Sequence, residues 1–237
     1  MRRLNVWVVQ RKRGERFVVV LSDGMDPMET QVGPFAEELE SERLYLRPFR
    51  VADAAWYGKM AKRNHAHLAR FESGNAAFVI GSESDAVAVP RSFEEHWRKR
   101  TAFFLGAFLK GSDTFVAQIF VGVANAALPG FTLGSFADCG QEGKGYVTEA
   151  TQAVLRFLFD GMQARRVTLW CDDTNVRCVK VAERCGFRRD GHLRQDKRHP
   201  DGTLGGSFCY GLLREDVNAP AQLPTSAPPA GPLPRGS

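Results

Sequence analysis

A glycine-rich stretch near the middle of the chain most constrains how it can fold. Residues 138–150 read DCGQEGKGYVTEA, so three glycines surround one lysine. Residues 131–137 before them are aromatic and aliphatic, as in a strand, and residues 146–162 after them have an apolar helical period. A strand, a tight turn and a helix in this order leave free backbone N–H groups at the helix start. The stretch therefore predicts either a phosphate site or a plain connecting turn.

Two familiar nucleotide motifs do not fit this stretch. A P-loop requires Ser or Thr after its Gly-Lys pair, whereas Gly145 follows Lys144 here. A dinucleotide fingerprint requires a third glycine, and Thr148 occupies that position.

Composition narrows the class of protein. The chain has 237 residues, of which 43% are hydrophobic and 25% charged, which is typical of one globular domain with extensions. The net charge of +5 weakly favours anionic partners, but no helix-turn-helix or aromatic–basic stripe indicates nucleic-acid binding. Five cysteines without a CxxC pair predict reduced thiols rather than a disulfide framework or zinc ribbon. The apolar run at 4–9 is too short for a signal peptide or membrane span, so we expect a cytoplasmic protein.

The two ends of the chain differ from its middle. Residues 1–40 form an N-terminal extension, with a possible hairpin from the β-branched runs at 6–9 and 17–21 and a linker at 22–40. Residues 218–237 are rich in Pro and Ala and lack an apolar period, which predicts a disordered tail. The expected domain is therefore 41–217.

Strand and helix patterns alternate along that domain. A second helix is expected to begin at Ser92, because Glu95 stands at the capping-box spacing. Strands are expected at 43–49, 103–110, 114–124, 130–137, 166–171, 187–195 and 207–213, and helices from 51, from 92, at 146–162 and at 176–185. This order predicts a mixed α/β fold with one central, mostly antiparallel sheet flanked by helices.

Four pieces of this pattern carry a family resemblance. They are SERLYLRPF at 41–49 followed by Asp53 and Ala54, EGKGYVTEA at 142–150, CDDTNVR at 171–177, and VAERCGF at 181–187. Their order and spacing resemble those of the GCN5-related N-acetyltransferases (GNAT), and most closely the RimJ/RimL branch of ribosomal-protein N-terminal acetyltransferases.

The resemblance implies transfer of acetyl from acetyl-coenzyme A to a primary amine. It implies that two strands splay so that the pantetheine lies between them, and that the glycine turn holds the pyrophosphate. The implied coenzyme-binding residues are Ser135, Phe136, Ala137, Glu142, Gly143, Lys144, Gly145, Tyr146, Val147, Thr148 and Asn175. Asn is also a good helix N-cap, so Asn175 is open to both roles.

The turn departs from the family pattern at two positions. Glu142 stands where the family usually has Gln or Arg, and Val147 where it has Gly or Ala. Because a carboxylate would repel phosphate, we expect the Glu142 side chain to point to solvent or toward Lys144.

The catalytic residues follow the family less closely. The usual tyrosine acid is replaced by Ala182, and Cys178 stands where RimL-like members have a serine acid. Cys178 is therefore a candidate general acid, with a small half-buried helix residue as the alternative. Thr132 takes the place of an acidic base and is a candidate for positioning a water.

The acceptor is the least constrained part of the prediction. A protein N-terminal amine is expected first. The alternatives are a small amine, such as a polyamine or an aminoglycoside, and a catalytically weak acyl-coenzyme A sensing module. The protein is expected to be a monomer or a homodimer.

By resemblance, the residues near the acceptor groove are His65, His67, Arg70, Glu72, His192, His199 and Asp201. The two histidines at 65 and 67 point to different sides of a helix, so no metal site is expected.

Overall fold

The computed structural model describes residues 32–72, 74–199 and 201–218. Its strands are β1 (Leu39–Glu40), β2 (Leu44–Pro48), β3 (Ala102–Leu109), β4 (Phe115–Asn125), β5 (Gly130–Ala137), β6 (Arg166–Asp172), β7 (Arg188–Arg198) and β8 (Leu204–Leu213). Its helices are α1 (Ala54–Phe71), α2 (Glu83–Lys99), α3 (Tyr146–Arg156), α4 (Val176–Arg184) and α5 (Arg214–Asn218). A 3-10 turn (Val51–Asp53) precedes α1, and a π turn (Phe157–Gly161) continues α3.

All eight strands belong to one sheet, in the order β1-β2-β3-β4-β5-β6-β8-β7. Every neighbouring pair is antiparallel except β5 and β6, which run parallel. The predicted single mixed sheet, mostly antiparallel and flanked by helices, is confirmed.

The parallel pair separates part-way along its length. β5 and β6 pair only from Gly130 with Arg166 to Leu133 with Leu169, although β5 continues to Ala137 and β6 to Asp172. β4 stays paired with β5 as far as Ala137. The strands therefore open into a wedge, bounded by 134–137 of β5 and 170–172 of β6.

Helices cover both faces of the sheet. On one face, α1 and α2 pack on an aromatic cluster that includes Phe49, Tyr57 and Phe115. On the other, α3 and α4 pack on aliphatic side chains such as Ile119 and Val167. Full burial of one such side chain stabilises the fold by about 1.5 to 3 kcal/mol. We call the two sides the α1/α2 face and the α3/α4 face.

The described part of the predicted linker packs on the domain. Val32 and Phe35 are buried, and the Phe35 ring stacks on Phe103 with centroids 4.4 Å apart. Leu39 and Glu40 then pair with β2 as a short edge strand. The predicted hairpin lies outside the described residues, as do residues 219–237 of the predicted tail.

The opposite edge of the sheet is the long strand β7. Its pairing with β8 shifts register twice, once between Arg189 and Gly191 and again between Leu193 and Lys197. Gln195, inside the second irregularity, has a left-handed backbone with φ of 53°. Nearly all of β7 is exposed to solvent.

The predicted start of the second helix at Ser92 is wrong. α2 begins at Glu83, where the Ser82 hydroxyl caps the helix by accepting from the Asp85 N–H at 3.2 Å. Ser92 lies inside the helix and donates to the Val89 carbonyl. Among the described residues, none of the helices has the length and apolar character needed to cross a membrane.

Candidate functional site

The glycine turn has the backbone that a phosphate-binding turn requires. Gly143 and Gly145 have φ of 76° and 80°, in the left-handed region that glycine adopts without strain. Gly145 immediately precedes α3, so the free N–H groups of Tyr146, Val147 and Thr148 start the helix beside the turn. The turn therefore offers backbone donors and the positive end of a helix to an anion.

A buried carboxylate fixes this turn to α1. Asp138, which follows β5, accepts from Asn64 Nδ2 at 3.0 Å, from the Gly140 N–H at 3.1 Å, and from Arg63. Asn64 Oδ1 accepts in turn from the Cys139 N–H at 2.8 Å. Burial acts to raise the pKa of Asp138, but the hydrogen bonds from Asn64, Arg63 and Gly140 outweigh it and hold that pKa below its usual range. This anchor was not predicted from the sequence.

Glu142 does not point where the sequence predicted. Its carboxylate pairs with Arg177 in the first turn of α4, and His67 Nε2 lies 3.7 Å from Oε1. Lys144 instead donates from Nζ to Gln141 Oε1 at 2.8 Å. The expectation of a solvent-facing or Lys144-paired Glu142 is wrong, because Arg177 brings a guanidinium across from α4 and neutralises the carboxylate.

An ion pair beside the turn supports the start of α3. Glu149 accepts from the Arg43 backbone N–H at 2.8 Å and pairs with its guanidinium at 2.6 Å. The same guanidinium lies 4.7 Å from the centroid of the Tyr146 ring. A surface pocket of about 630 Å³ adjoins this pair, and Arg156 and Arg184 contribute further positive charge to its wall. The pocket lies next to the glycine turn and outside the wedge between β5 and β6.

The wedge presents backbone rather than a side chain at one of its positions. Phe136 is buried in the aromatic cluster of the α1/α2 face, so only its backbone is available to a ligand. Ser135 and Ala137 are half-buried beside it. Asn175 caps α4, because its Oδ1 accepts from the Cys178 N–H at 3.1 Å. The N-cap role is confirmed, and the coenzyme contact of Asn175 stays a prediction.

Cys178 is not a free thiol in this structure. It forms a disulfide with Cys171 at the end of β6, and the two Cα atoms lie 5.7 Å apart, a spacing that a disulfide spans without distortion. A bridged sulfur carries no proton, so the prediction of Cys178 as the general acid is wrong, as is the prediction that all five thiols are reduced. Cys139, Cys185 and Cys209 are free.

Thr132 lies where β5 and β6 are still joined. It is paired with Thr168 of β6 and is half-buried on the strand. Its proposed role in positioning a water stays a prediction.

The residues expected near the acceptor lie in different parts of the structure. His65 stacks on Phe78, with ring centroids 4.5 Å apart, and His67 lies at the glycine turn. His192 pairs with Asp173 and packs on Phe208, on the α3/α4 face. The Arg70 guanidinium lies over the Phe71 ring, and Asp201 accepts from Thr203 in the β7–β8 turn. Of the predicted set, His199 lies at the wedge, and Glu72 lies at the C-terminal end of α1.

His199 lies beside Asp172, the last residue of β6. Lys197 Nζ lies 3.2 Å from Asp172 Oδ2, and His199 Nε2 lies 3.4 Å from the same oxygen. Lys197 also acts electrostatically on Glu72 at the end of α1. Burial alone would raise the pKa of Asp172, but hydrogen bonds from Thr174 and Lys197 hold it below its usual range. We call Glu72, Asp172, Lys197 and His199 the Asp172 cluster.

The pKa of Glu72 predicts a pH-dependent stability. Burial raises this pKa from 4.5 to about 7, despite the opposing charge of Lys197 and a hydrogen bond from Asn75. Between these two values the folded state binds more protons than the unfolded state, so the free energy of unfolding should fall as the pH rises from about 4.5 to 7. At about 1.4 kcal/mol per pKa unit, the ceiling is about 3 kcal/mol, and partial exposure reduces the expected fall to about 2 kcal/mol.

Urea unfolding of the wild type and Glu72→Gln at pH 5 and pH 8 checks this expectation. The variant should lose less stability than the wild type between the two pH values, because its amide does not titrate. Equal losses in the two proteins would show that Glu72 ionises normally.

Comparison with known proteins identifies the family. A family model described as an acetyltransferase (GNAT) domain matches residues 43–188. The chain belongs to the GNAT acetyltransferases. The probable N-acetyltransferase YjcK of Bacillus subtilis (strain 168) is 23% identical over 159 residues, or 67% of this chain and 87% of that protein.

Solved GNAT structures share the fold. The ribosomal-protein-S5-alanine acetyltransferase of Vibrio fischeri gives a TM-score of 0.66 at 18% identity, covering 76% of this chain and 97% of that one. Mycobacterium smegmatis RimJ in complex with CoA-disulfide gives a TM-score of 0.65 at 23% identity, and the match covers 74% of this chain and 84% of that one. The predicted membership of the GNAT family is confirmed, and the likeness to RimJ is one of fold. GNAT proteins transfer acetyl from acetyl-coenzyme A to amines, and this chain is an acetyl-coenzyme A-dependent N-acetyltransferase.

The site fits the coenzyme of the family. The wedge leaves residues 134–137 unpaired on the β6 side, and the left-handed glycines and the start of α3 offer donors that suit a diphosphate. When bound, acetyl-coenzyme A supplies an acetyl group activated as a thioester. The Glu142–Arg177 pair shows how this chain tolerates a carboxylate in that turn. No cluster of metal-ligating side chains is found in the described part of the chain.

Proposed function

We propose that the acceptor is the N-terminal amine of a protein, which attacks the acetyl group directly without a covalent enzyme intermediate. Residues 41–217 would form the acetyltransferase domain. Within it, we assign the pyrophosphate to the turn at 142–148, and the pantetheine to the wedge and Asn175. The ribosomal-protein acetyltransferases among the structural neighbours support this acceptor class.

The charges of the Asp172 cluster are the observation that favours a peptide acceptor over a polycationic one. Lys197 pairs with Asp172 and acts electrostatically on Glu72, and His199 lies beside Asp172. A polyamine or an aminoglycoside brings several positive charges and would be repelled by Lys197, whereas a peptide brings one amine. The balanced cluster therefore favours an acceptor with a single positive group over a polycation.

The residues of this chain then have separate tasks in the reaction. Backbone N–H groups at the edge of β5 polarise the carbonyl that is attacked, and they are fixed before the reaction because β5 is paired with β4 on its other side. The Asp172 cluster receives the amine on the α1/α2 face. Positioning of the amine against the carbonyl accounts for a large share of catalysis in such direct transfers.

An acceptor screen tests the proposal. The release of free thiol from acetyl-coenzyme A should be measured with peptides bearing free N-termini, with the same peptides blocked at the N-terminus, and with a polyamine and an aminoglycoside. We expect turnover with the free N-terminal peptides alone. Turnover confined to the polyamine or the aminoglycoside would refute a protein acceptor.

Thermal unfolding separates an enzyme from a sensor. Acetyl-coenzyme A should raise Tm with its concentration, in line with RT ln(1 + [L]/Kd), and free pantetheine should raise it less. A Tm shift without turnover on any amine would support an acyl-coenzyme A sensing module. No shift at millimolar acetyl-coenzyme A would refute the coenzyme site described above.

A further inference from the structure

A histidine–aspartate pair occupies the α1/α2 face beside the wedge. His199 Nε2 lies 3.4 Å from Asp172 Oδ2, and the two side chains are only 14% and 5% exposed. The imidazole lies directly against Gly205, where an added Cβ would collide with Nε2 and with Cε1. The absence of a side chain at Gly205 therefore makes room for the imidazole ring.

A second pair lies on the opposite face of the same strand. His192 Nε2 lies 2.9 Å from Asp173 Oδ2, and both atoms approach Gly206 closely. Successive residues of a strand face opposite sides of the sheet. Gly206 therefore faces the α3/α4 side. The His192–Asp173 pair beside it serves as an internal control for the His199–Asp172 pair.

The first pair lies where an acceptor amine has to approach. Pairing between β5 and β6 ends at Leu169, and Asp172 is the last residue of the separated part of β6. Cys171 points to α4, to which it is bridged, so Asp172 points to the α1/α2 face. His199 thus borders the mouth of the wedge, whereas Thr132 lies in the part where the strands are still joined.

The chemistry of the pair suits a proton acceptor. A carboxylate next to Nε2 favours the tautomer that carries its proton on Nε2, which leaves the lone pair on Nδ1. Lys197 Nζ lies 3.2 Å from the same carboxylate, so Asp172 stays an acceptor that orients the ring and does not take the proton itself. Thr132 of β5 carries a hydroxyl that does not ionise near neutral pH, so this position supplies no side-chain base.

We propose that His199, oriented by Asp172, accepts the proton of the attacking amine. The amine nitrogen forms a bond to the acetyl carbon, its proton passes to His199 Nδ1, and the C–S bond breaks with its electron pair leaving on sulfur. In this assignment His199 is a catalytic residue, and Asp172 is a positioning residue. The inference rests on the amine acetyltransferase activity, whichever amine is the acceptor.

Matched substitutions on the two faces test it, with any amine that the acceptor screen finds. We expect His199→Gln to lower kcat about 100-fold with little change in the KM for acetyl-coenzyme A. The equivalent change in the other pair, His192→Gln, should leave kcat unchanged. Added imidazole should restore part of the activity of His199→Ala, which a purely structural role of His199 would not allow.

Two results would overturn the assignment. Equal losses of kcat in the two histidine variants would show that the pairs act only on the structure of the β7–β8 hairpin. A large loss of kcat in Glu72→Gln, combined with a normal kcat in His199→Gln, would assign the base to Glu72 at the end of α1 instead.

A spectroscopic measurement tests the pair without turnover. In protein labelled with nitrogen-15 at histidine, neutral His199 should show the Nε2–H tautomer, and Asp172→Asn should weaken that preference while Tm stays responsive to acetyl-coenzyme A. A neutral His199 with its proton on Nδ1 would refute the proposal. If no amine in the screen were acetylated, the proposed function would fail, and this measurement would still test the tautomer that the assignment of His199 requires.

Discussion

Replacement of Asp138 by alanine is expected to lower the free energy of unfolding by about 2 to 3 kcal/mol and to weaken acetyl-coenzyme A binding at the same time. The Asp138 carboxylate joins α1 to the glycine turn, and it is only 5% exposed. Its removal takes a partner from the fully buried Asn64 and from the Gly140 N–H. In a domain of this size, the loss corresponds to a fall in Tm of about 5 to 10 °C.

A second carboxylate provides the control for this variant. Asp53 pairs with Arg47 and precedes α1, and its pKa is also held below the usual range, although burial acts against the hydrogen bonds from Arg47 and Arg50. Because Asp53 lies about 15 Å along the helix from Arg63 and Asn64, Asp53→Ala should lower stability and leave coenzyme affinity unchanged. Equal coenzyme affinity in the two variants would show that the anchor supports the fold alone.

The second large effect is expected at Gly145. Its φ of 80° costs a residue with a side chain about 1 to 2 kcal/mol, and more if the residue is β-branched. In Gly145→Val, the turn either keeps its shape under strain or loses its arrangement of N–H groups. We expect the Kd for acetyl-coenzyme A, measured by calorimetry, to rise roughly tenfold or more.

Two matched variants separate backbone shape from strain and charge. Gly111→Val introduces the same kind of strain at φ of 82° in the β3–β4 turn, where a Cβ meets nothing within 4 Å, so it should lower stability without affecting coenzyme binding. Lys144→Ala should raise the Kd less than Gly145→Val, because Lys144 is exposed and already engaged by Gln141. A larger effect from Lys144→Ala would place the phosphates near its side chain instead.

Local signals in the sequence were enough for much of the fold. β5 runs from Gly130 to Ala137 as expected, because turn residues bound its apolar run on both sides. Asn175 was recognised as a possible cap, since cap chemistry depends only on neighbouring residues. The start of α2 was misplaced because Ser92 and Glu95 imitate a capping box inside the helix, whereas Ser82 and Asp85 form the real one.

The contacts that build the site join residues far apart in the chain. Asn64 and Asp138 are 74 positions apart, so no local pattern could pair them. A buried Asn one helical turn after Met60 is a weak signal that some polar partner is needed, without naming it. Cys171 and Cys178 are close in sequence, but only the path of the chain between β6 and α4 decides whether their sulfur atoms meet.

The irregular edge strand β7 has a consequence for association. A straight strand of this length, with one side free, would invite a strand from another molecule to pair with it. Its two register shifts and the left-handed Gln195 interrupt the regular spacing of free N–H and C=O groups. The positive side chains of Arg188, Arg194 and Arg198 would also repel an identical strand laid alongside. Within the described part of the chain, β7 is thus an edge strand that makes a poor template for aggregation.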